Sequence, residues 1–229
     1  MSDGLRARLR APLPARADLG DVLSTPWATL GAAELARRPV AVEGHGALTV
    51  GDLFDLGGEP QGRIRFEGDL AEADRLGARL SEGEVIVEGN LGREAGLGMT
   101  GGELIVRGSA GPQAGARMRR GLVVIAGSAG SHAGAGMIAG TVIVFGGIGA
   151  AAGLWSKRGS LVALGSVTVP PTYRYACTYQ PVHLRVTFTH LQSRHGLPVE
   201  DRHLMGFYRR YSGDLADLGK GEILAWTPE

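Results

Sequence analysis

Runs of three or four mostly β-branched residues recur along the middle of the chain: Val85-Ile86-Val87, Leu104-Ile105-Val106, Val123-Val124-Ile125 and Val142-Ile143-Val144. Each run is too short for a helix and has the composition of a strand. The runs open four consecutive 19-residue units beginning at Glu84, Glu103, Leu122 and Thr141, and a fifth unit begins at Ser160 and then dissolves. Polar and small residues fill the rest of every unit at fixed offsets. Glycine follows each strand at Gly89, Gly108, Gly127, Gly146 and Gly165, and recurs at Gly96, Gly115, Gly134 and Gly153. Such positions suit corners that need positive φ or close backbone approach.

Strands at constant spacing with glycine corners between them predict an all-β fold, a single-stranded parallel β-helix built as a solenoid of 19-residue coils. Coils about 4.8 Å apart put equal offsets above one another. Ala95, Ala114, Ala133 and Ala152 then form one inward ladder and Met99, Met118 and Met137 another. The pattern extends one coil backward, from Arg63-Ile64-Arg65-Phe66 to Gly83, with two extra residues between Gly68 and Gly77 that predict a bulged corner. The predicted organisation is residues 1–62 as an N-terminal arm and cap, 63–169 as the β-helix, and 170–229 as a C-terminal cap or docking segment.

The flanks predict small mixed caps. Residues 1–20 are rich in Arg, Pro and Ala without periodicity, which suggests a loose arm that orders on a partner. Ser24-Thr25-Pro26 reads as the cap of a short helix ending before Pro39, and Thr49 as the cap of another from Gly51 to Leu56. Val182, Leu184, Val186 and Phe188 alternate as in a strand, His190 to Arg194 suggest a helical turn, and Ile223 to Trp226 a last strand. The open ends of a β-helix would pair with other chains, so these tails are expected to cap or dock.

Composition narrows the function. The 229 residues contain 38 Gly without a collagen triplet, and a net charge of +1 argues against a generic nucleic-acid surface. A single cysteine, Cys177, excludes an internal disulfide, and its aromatic neighbours predict a buried structural thiol. No apolar run is long enough for a membrane span or a signal peptide, which places the chain in the cytoplasm.

Candidate chemistry is sparse. The glycine stretches recur in every unit with no helix behind them, unlike a phosphate loop. His45, His132, His183, His190, His195 and His203 lack close metal-ligand spacing and read as surface or interface residues, so neither a catalytic nor a metal residue is assigned. Glu84 and Glu103 share an offset in adjacent coils and read as solvated charges at an exposed strand start. One basic feature stands out. Arg119 and Arg120 occupy the same two offsets as Lys157 and Arg158 two coils later, about 10 Å apart on one corner, with Arg93 and Arg117 as candidate extensions. These four are the candidate contacts for a polyanionic ligand.

The unit strand-Gly-x-x-Gly-x-x-Ala-Gly-x-x-Met-x-x-Gly resembles the GXGXG solenoid found in the large chain of glutamate synthase and in the C subunit of formylmethanofuran dehydrogenase. Leu53-Phe54-Asp55 before the first coil, Pro171 to Tyr175 after the last, and Tyr211 to Leu215 leading into Gly219 to Ile223 resemble the second family. That resemblance implies one of two settings: a tungsten or molybdenum dehydrogenase, or the bacterial formyltransferase/hydrolase complex. The latter converts formyl-tetrahydromethanopterin to formate through a formylmethanofuran-type carrier. The Arg-over-Lys, Ala-rich composition favours the bacterial setting. The resemblance further implies an amidohydrolase-like partner holding zinc, a formyltransferase partner and one more partner in the same complex. This chain would be a scaffold that binds no cofactor alone, with Arg119, Arg120, Lys157 and Arg158 toward the carrier's poly-glutamate tail. A stand-alone binding module is the other class left open. A hexapeptide acyltransferase would need a coil of about 18 residues, which the 19-residue period opposes.

Overall fold

A computed structural model describes residues 4–24, 27–59 and 61–228. The strands of successive units lie side by side, parallel and in register: Glu84–Val87 on Thr100–Val106, that on Arg120–Ile125, then Thr141–Val144 and Ser160–Ala163. Val85, Leu104, Val123, Val142 and Leu161 are successive partners, as the period predicts. A second line of parallel bridges joins Leu70, Leu91, Ala110, Ala129, Ile148 and Val167, so the units meet on more than one side. Side chains extend this second line. The Ser109 N–H donates to Asn90 Oδ1 at 2.9 Å, the Ser128 N–H to Ser109 Oγ at 3.1 Å and the Gly147 N–H to Ser128 Oγ at 3.1 Å.

The flanks at both ends join the sheet of the units. Its 11 strands are mixed, not purely parallel. Leu5–Leu9 pairs parallel with Arg63–Glu67, and Phe54–Gly57 pairs antiparallel with Leu5–Leu9 at that end. At the other end Gly221–Thr227 adds parallel to Ser160–Ala163, followed antiparallel by Phe207–Gly213 and Arg174–Tyr179. The arm expected to be loose therefore carries a strand whose Leu5 and Ala7 are buried. A small sheet of four short strands, Leu48–Thr49, Pro39–Val42, Ala17–Asp18 and Ala73–Asp74, covers one side of the first units.

The run Val85-Ile86-Val87 is buried on both sides, which is why it is continuously apolar instead of alternating. Val85 and Val87 face the interior of the units, while Ile86 faces outward against a second core. Ile105, Val124, Ile143, Val162 and Leu224 continue that outward column, and Leu184, Phe188 and Leu191 cover it. Those three come from the α-helix Val182–His195. A strand is what the sequence predicts there, and the spacing shows why the helix wins. Leu184, Phe188, Leu191 and His195 are buried at helical intervals, whereas Val182 and Val186 of the apparent alternation are exposed. Each fully buried aliphatic or aromatic side chain in this layer contributes about 1.5–3 kcal/mol. Gly196 ends the helix in the left-handed conformation at φ 59°.

The earlier helices are short: Ala32–Ala36 after a 3₁₀ turn at Trp27–Thr29, and Val50–Leu53. Thr49 caps the latter as expected, its N–H and hydroxyl both donating to the Asp52 carboxylate at 2.8 and 2.7 Å. Thr25 and Pro26 of the other predicted cap, and residues 1–3 of the arm, lie outside the described residues.

Inside the units there is little room. Ala95, Ala114, Ala133 and Ala152 are fully buried, and Met99, Met118 and Met137 fill the space beside them. A Cβ on Gly115 would stand 2.4 Å from Val142 Cγ2, so that inward corner admits only glycine. Two residues earlier in each unit the backbone is left-handed without glycine, at Glu94, Gln113, His132 and Ala151. Their side chains point outward. Leucine at Ala133 would insert three carbons between Ala114 and Ala152, and overpacking of this kind costs about 1–3 kcal/mol. Ala133→Leu is expected to lower the midpoint of thermal unfolding, and an unchanged midpoint would show that the interior yields.

Candidate functional site

Two clusters of charge stand on the repeat. The first is at the start of the strands, under the C-terminal end of the long helix. Register puts Glu84 beside Glu103, two carboxylates on adjacent strands. The sequence predicts an exposed, solvated pair, and the helix overturns that expectation by covering it. Glu84 has a side chain only 8% exposed and meets two arginines. Its Oε2 accepts from Arg63 Nη2 at 3.0 Å and Arg194 Nε at 2.9 Å. Its Oε1 lies 2.9 Å from Arg63 Nε but is out of line for a hydrogen bond.

Glu103 has no arginine among the described residues. It faces His190 Nε2 at 3.2 Å and His195 Nε2 at 3.3 Å. The hydrogen bond from His195 holds the Glu103 carboxyl down to about 2, against the opposing cost of burial and with help from His190. His195 is buried, and its other nitrogen, Nδ1, is 3.7 Å from Glu84 Oε1 with no hydrogen-bond partner. Arg107 fixes the helix end above them by donating to the His195 carbonyl at 2.6 Å. His190 and His195 are five residues apart and Glu103 is remote in sequence, so no local spacing announces the cluster. The signal that could have found it is the stacked carboxylate pair, which needs a counter-charge once a helix covers it.

The second cluster is the basic corner. Arg119, Arg120, Lys157 and Arg158 are all exposed, and none of them forms an ion pair among the described residues. The backbone stacks them as predicted: the Arg119 N–H donates to Met99 O, the Ile138 N–H to Met118 O and the Lys157 N–H to Met137 O, at 2.7–2.8 Å. Ile138 separates the two basic pairs, and exposed Trp155 lies just before Lys157 in the chain. Arg117 is exposed as well. Arg93 is not available to extend the patch, because its guanidinium donates to Asp74 Oδ2 at 2.8 and 3.0 Å on another side of the unit.

The remaining candidates separate. His132 stacks on Trp155 with ring centroids 6.4 Å apart, His183 is exposed and His45 contacts the Glu43 carbonyl. His203 packs among Phe145, Phe188 and Trp226, and burial pushes its pKa down. Cys177, expected to be buried, is exposed, because the strand Arg174–Tyr179 lies at the edge of the sheet with most of its residues open to solvent. Tyr173 and Asp214 close the last unit instead. The Tyr173 hydroxyl donates to Gly153 O at 2.8 Å, and Asp214 Oδ2 accepts from the Trp155 N–H at 2.8 Å.

A curated relative, the C subunit of the formyltransferase/hydrolase complex Fhc of Methylorubrum extorquens, is 36% identical over 86 residues, covering 38% of this chain. That match spans 32% of the relative's own length. A chain in the X-ray crystal structure of the formyltransferase/hydrolase complex (FhcABCD) from the same organism, in complex with methylofuran, is similar from end to end. It is 32% identical, with 96% of this chain and 98% of that chain covered and a TM-score of 0.60. No protein-family model matches the chain. No helix among the described residues is long and apolar enough to cross a membrane.

Glu84 ties the helix to the first units. Glu84→Gln leaves Arg63 and the half-exposed Arg194 without a carboxylate between them, a loss of about 2 kcal/mol. The unfolding midpoint is expected to fall by roughly 4–8 °C, with faster amide exchange over Val182–His195. Unchanged exchange in the helix would show that the apolar layer alone holds it.

Proposed function

Because the chain belongs to the family of the formyltransferase/hydrolase complex chain that it matches end to end, we propose that it is the C subunit of such a complex and serves as its scaffold. The observation that carries this reading is that likeness over nearly the full length of both chains. In this reading the paired units are a single-stranded parallel β-helix of the GXGXG type, spanning residues 63–169. Residues 1–62 extend its first end, and residues 170–229 close and dock its second. The rigid rod holds a zinc-bearing partner of the amidohydrolase type, a formyltransferase partner and one more partner. Together they take formyl-tetrahydromethanopterin to formate through a methanofuran-type carrier in the cytoplasm.

The basic corner supports a more specific role toward the carrier. Arg119, Arg120, Lys157 and Arg158 are exposed cations without acidic partners among the described residues, on backbone hydrogen-bonded to the preceding unit. A poly-glutamate tail on the carrier fits that chemistry. One exposed contact is worth only about 0.2–1 kcal/mol, so several must act together on one chain.

Two experiments test the proposal. The chain expressed alone is expected to show neither formyl transfer nor hydrolysis, and co-expression with its genomic neighbours to give a stoichiometric complex with both activities. Turnover by the single chain, or failure to co-purify, would sink the scaffold reading. Changing Arg119, Arg120, Lys157 and Arg158 together to Ser is expected to raise KM for the carrier, most clearly at low salt, with kcat nearly unchanged, as for lost uniform binding. Failed assembly would mark the corner as an interface with another subunit instead.

A further inference from the structure

Glu103, His190 and His195 turn three metal-ligating atoms toward one point, all within 4.8 Å of one another. We propose that these three side chains bind one divalent cation of the zinc class, which clasps the end of the long helix to the repeat. Two imidazoles and a carboxylate are a donor set of borderline softness, suited to Zn²⁺. The separations agree. Ligand atoms around a tetrahedral zinc with bonds of 2.0–2.2 Å stand about 3.4 Å apart. Here His190 Nε2 and His195 Nε2 stand 3.2 and 3.3 Å from Glu103. His190, half-exposed at the mouth of a shallow cleft, needs only a small ring movement to complete the set.

Two further observations favour a cation over a simple hydrogen-bonded cluster. Glu103 is the exception among the carboxylates of this sheet. Glu67, Glu84, Glu88 and Glu222 each have an arginine, whereas Glu103 has only imidazoles. The second observation is the unpartnered Nδ1 of His195, a side chain 1% exposed. With neutral rings donating from both Nε2 atoms to Glu103, that nitrogen keeps a lone pair buried and aimed at the Glu84 carboxylate. With a cation at Nε2, the proton of His195 moves to Nδ1, which faces Glu84 Oε1 at 3.7 Å. This is the carboxylate–histidine–metal arrangement, in which an outer carboxylate fixes the tautomer and raises the basicity of the ligand. One ion thus turns the unpartnered Nδ1 of His195 into a donor that faces a carboxylate. The site is independent of the basic corner and of the reaction proposed for the complex.

The test uses the untagged full chain, freed of metal by dialysis and titrated with Zn²⁺ against a chromophoric chelator at pH 7.5. One zinc per chain is expected. Glu103→Gln and His190→Ala are each expected to weaken binding by about tenfold or more while the far-UV circular dichroism is unchanged. His190 is partly exposed, so its replacement decides the matter even where Glu103→Gln perturbs the fold. Zinc should also slow amide exchange at the end of the helix in the native chain and not in His190→Ala. A folded wild-type chain that takes up less than one zinc, or binds it equally well without His190, would overturn the proposal.

Discussion

Parallel pairing of the strand and bridge residues of each unit with the residues 19 positions on is the constraint from which the rest of the molecule follows. An N–H such as that of Leu91 reaches forward to Ser109 O, and one such as that of Gly111 reaches back to Leu91 O, in the slanted pattern of a parallel ladder. Because this holds on more than one side of the unit, a change of perimeter has to be taken up at a corner, as the two extra residues between Gly68 and Gly77 are while Ile64 still pairs with Val85 and Leu70 with Leu91. A narrow interior results. Alanine and methionine fill it, glycine takes the inward corner, and left-handed residues such as Gln113 and His132 are held in place by the ladders on either side.

The same register makes charge a problem for neighbours. Residues at one offset lie about 4.8 Å apart, so a carboxylate on two successive units must be neutralised from elsewhere or left in water. At the strand starts the long helix removes the water, and Arg194, His190 and His195 arrive with it. Arg63 and Arg65 supply the same service from the preceding unit, to Glu84 and Glu88. Packing and electrostatics are therefore not separable here: the helix that buries Ile86, Ile105 and Val124 also brings the counter-charges its own arrival demands.

The repeat was legible because equal offsets mean equal environments. Strand register, the alanine and methionine ladders and the stacking of Arg119 with Lys157 all follow from the period. What lay outside the period was harder to read. The segment Val182–His195 shows an alternation and a helical face at once, and only the apolar outer column of the sheet decides between them. That column was itself visible, since a strand apolar at every position, such as Val142-Ile143-Val144, must be covered on both faces. The fate of Leu5–Leu9, which extends the sheet, and of Cys177, which lies at its edge, depends on where the sheet stops, a property no single unit encodes. The cluster at Glu103 joins residues from two distant segments and leaves no local trace.

The two charged corners differ in one physical respect that bears on function. At the acidic corner the chain compensates its own charge with a segment folded over it, so the site is internal and admits only a small ligand. At the basic corner no segment among the described residues folds over Arg119, Arg120, Lys157 and Arg158, and their spacing is fixed by the ladder beneath them. Fixed spacing matters for a flexible polyanion. With the backbone already hydrogen-bonded to the neighbouring units, the ordering cost of the proposed contact would fall mainly on the ligand and the four side chains. On the proposed reading, a repeat of this kind holds a charged tail without a pocket, because the ladder does the positioning that loops and cavities do in other folds.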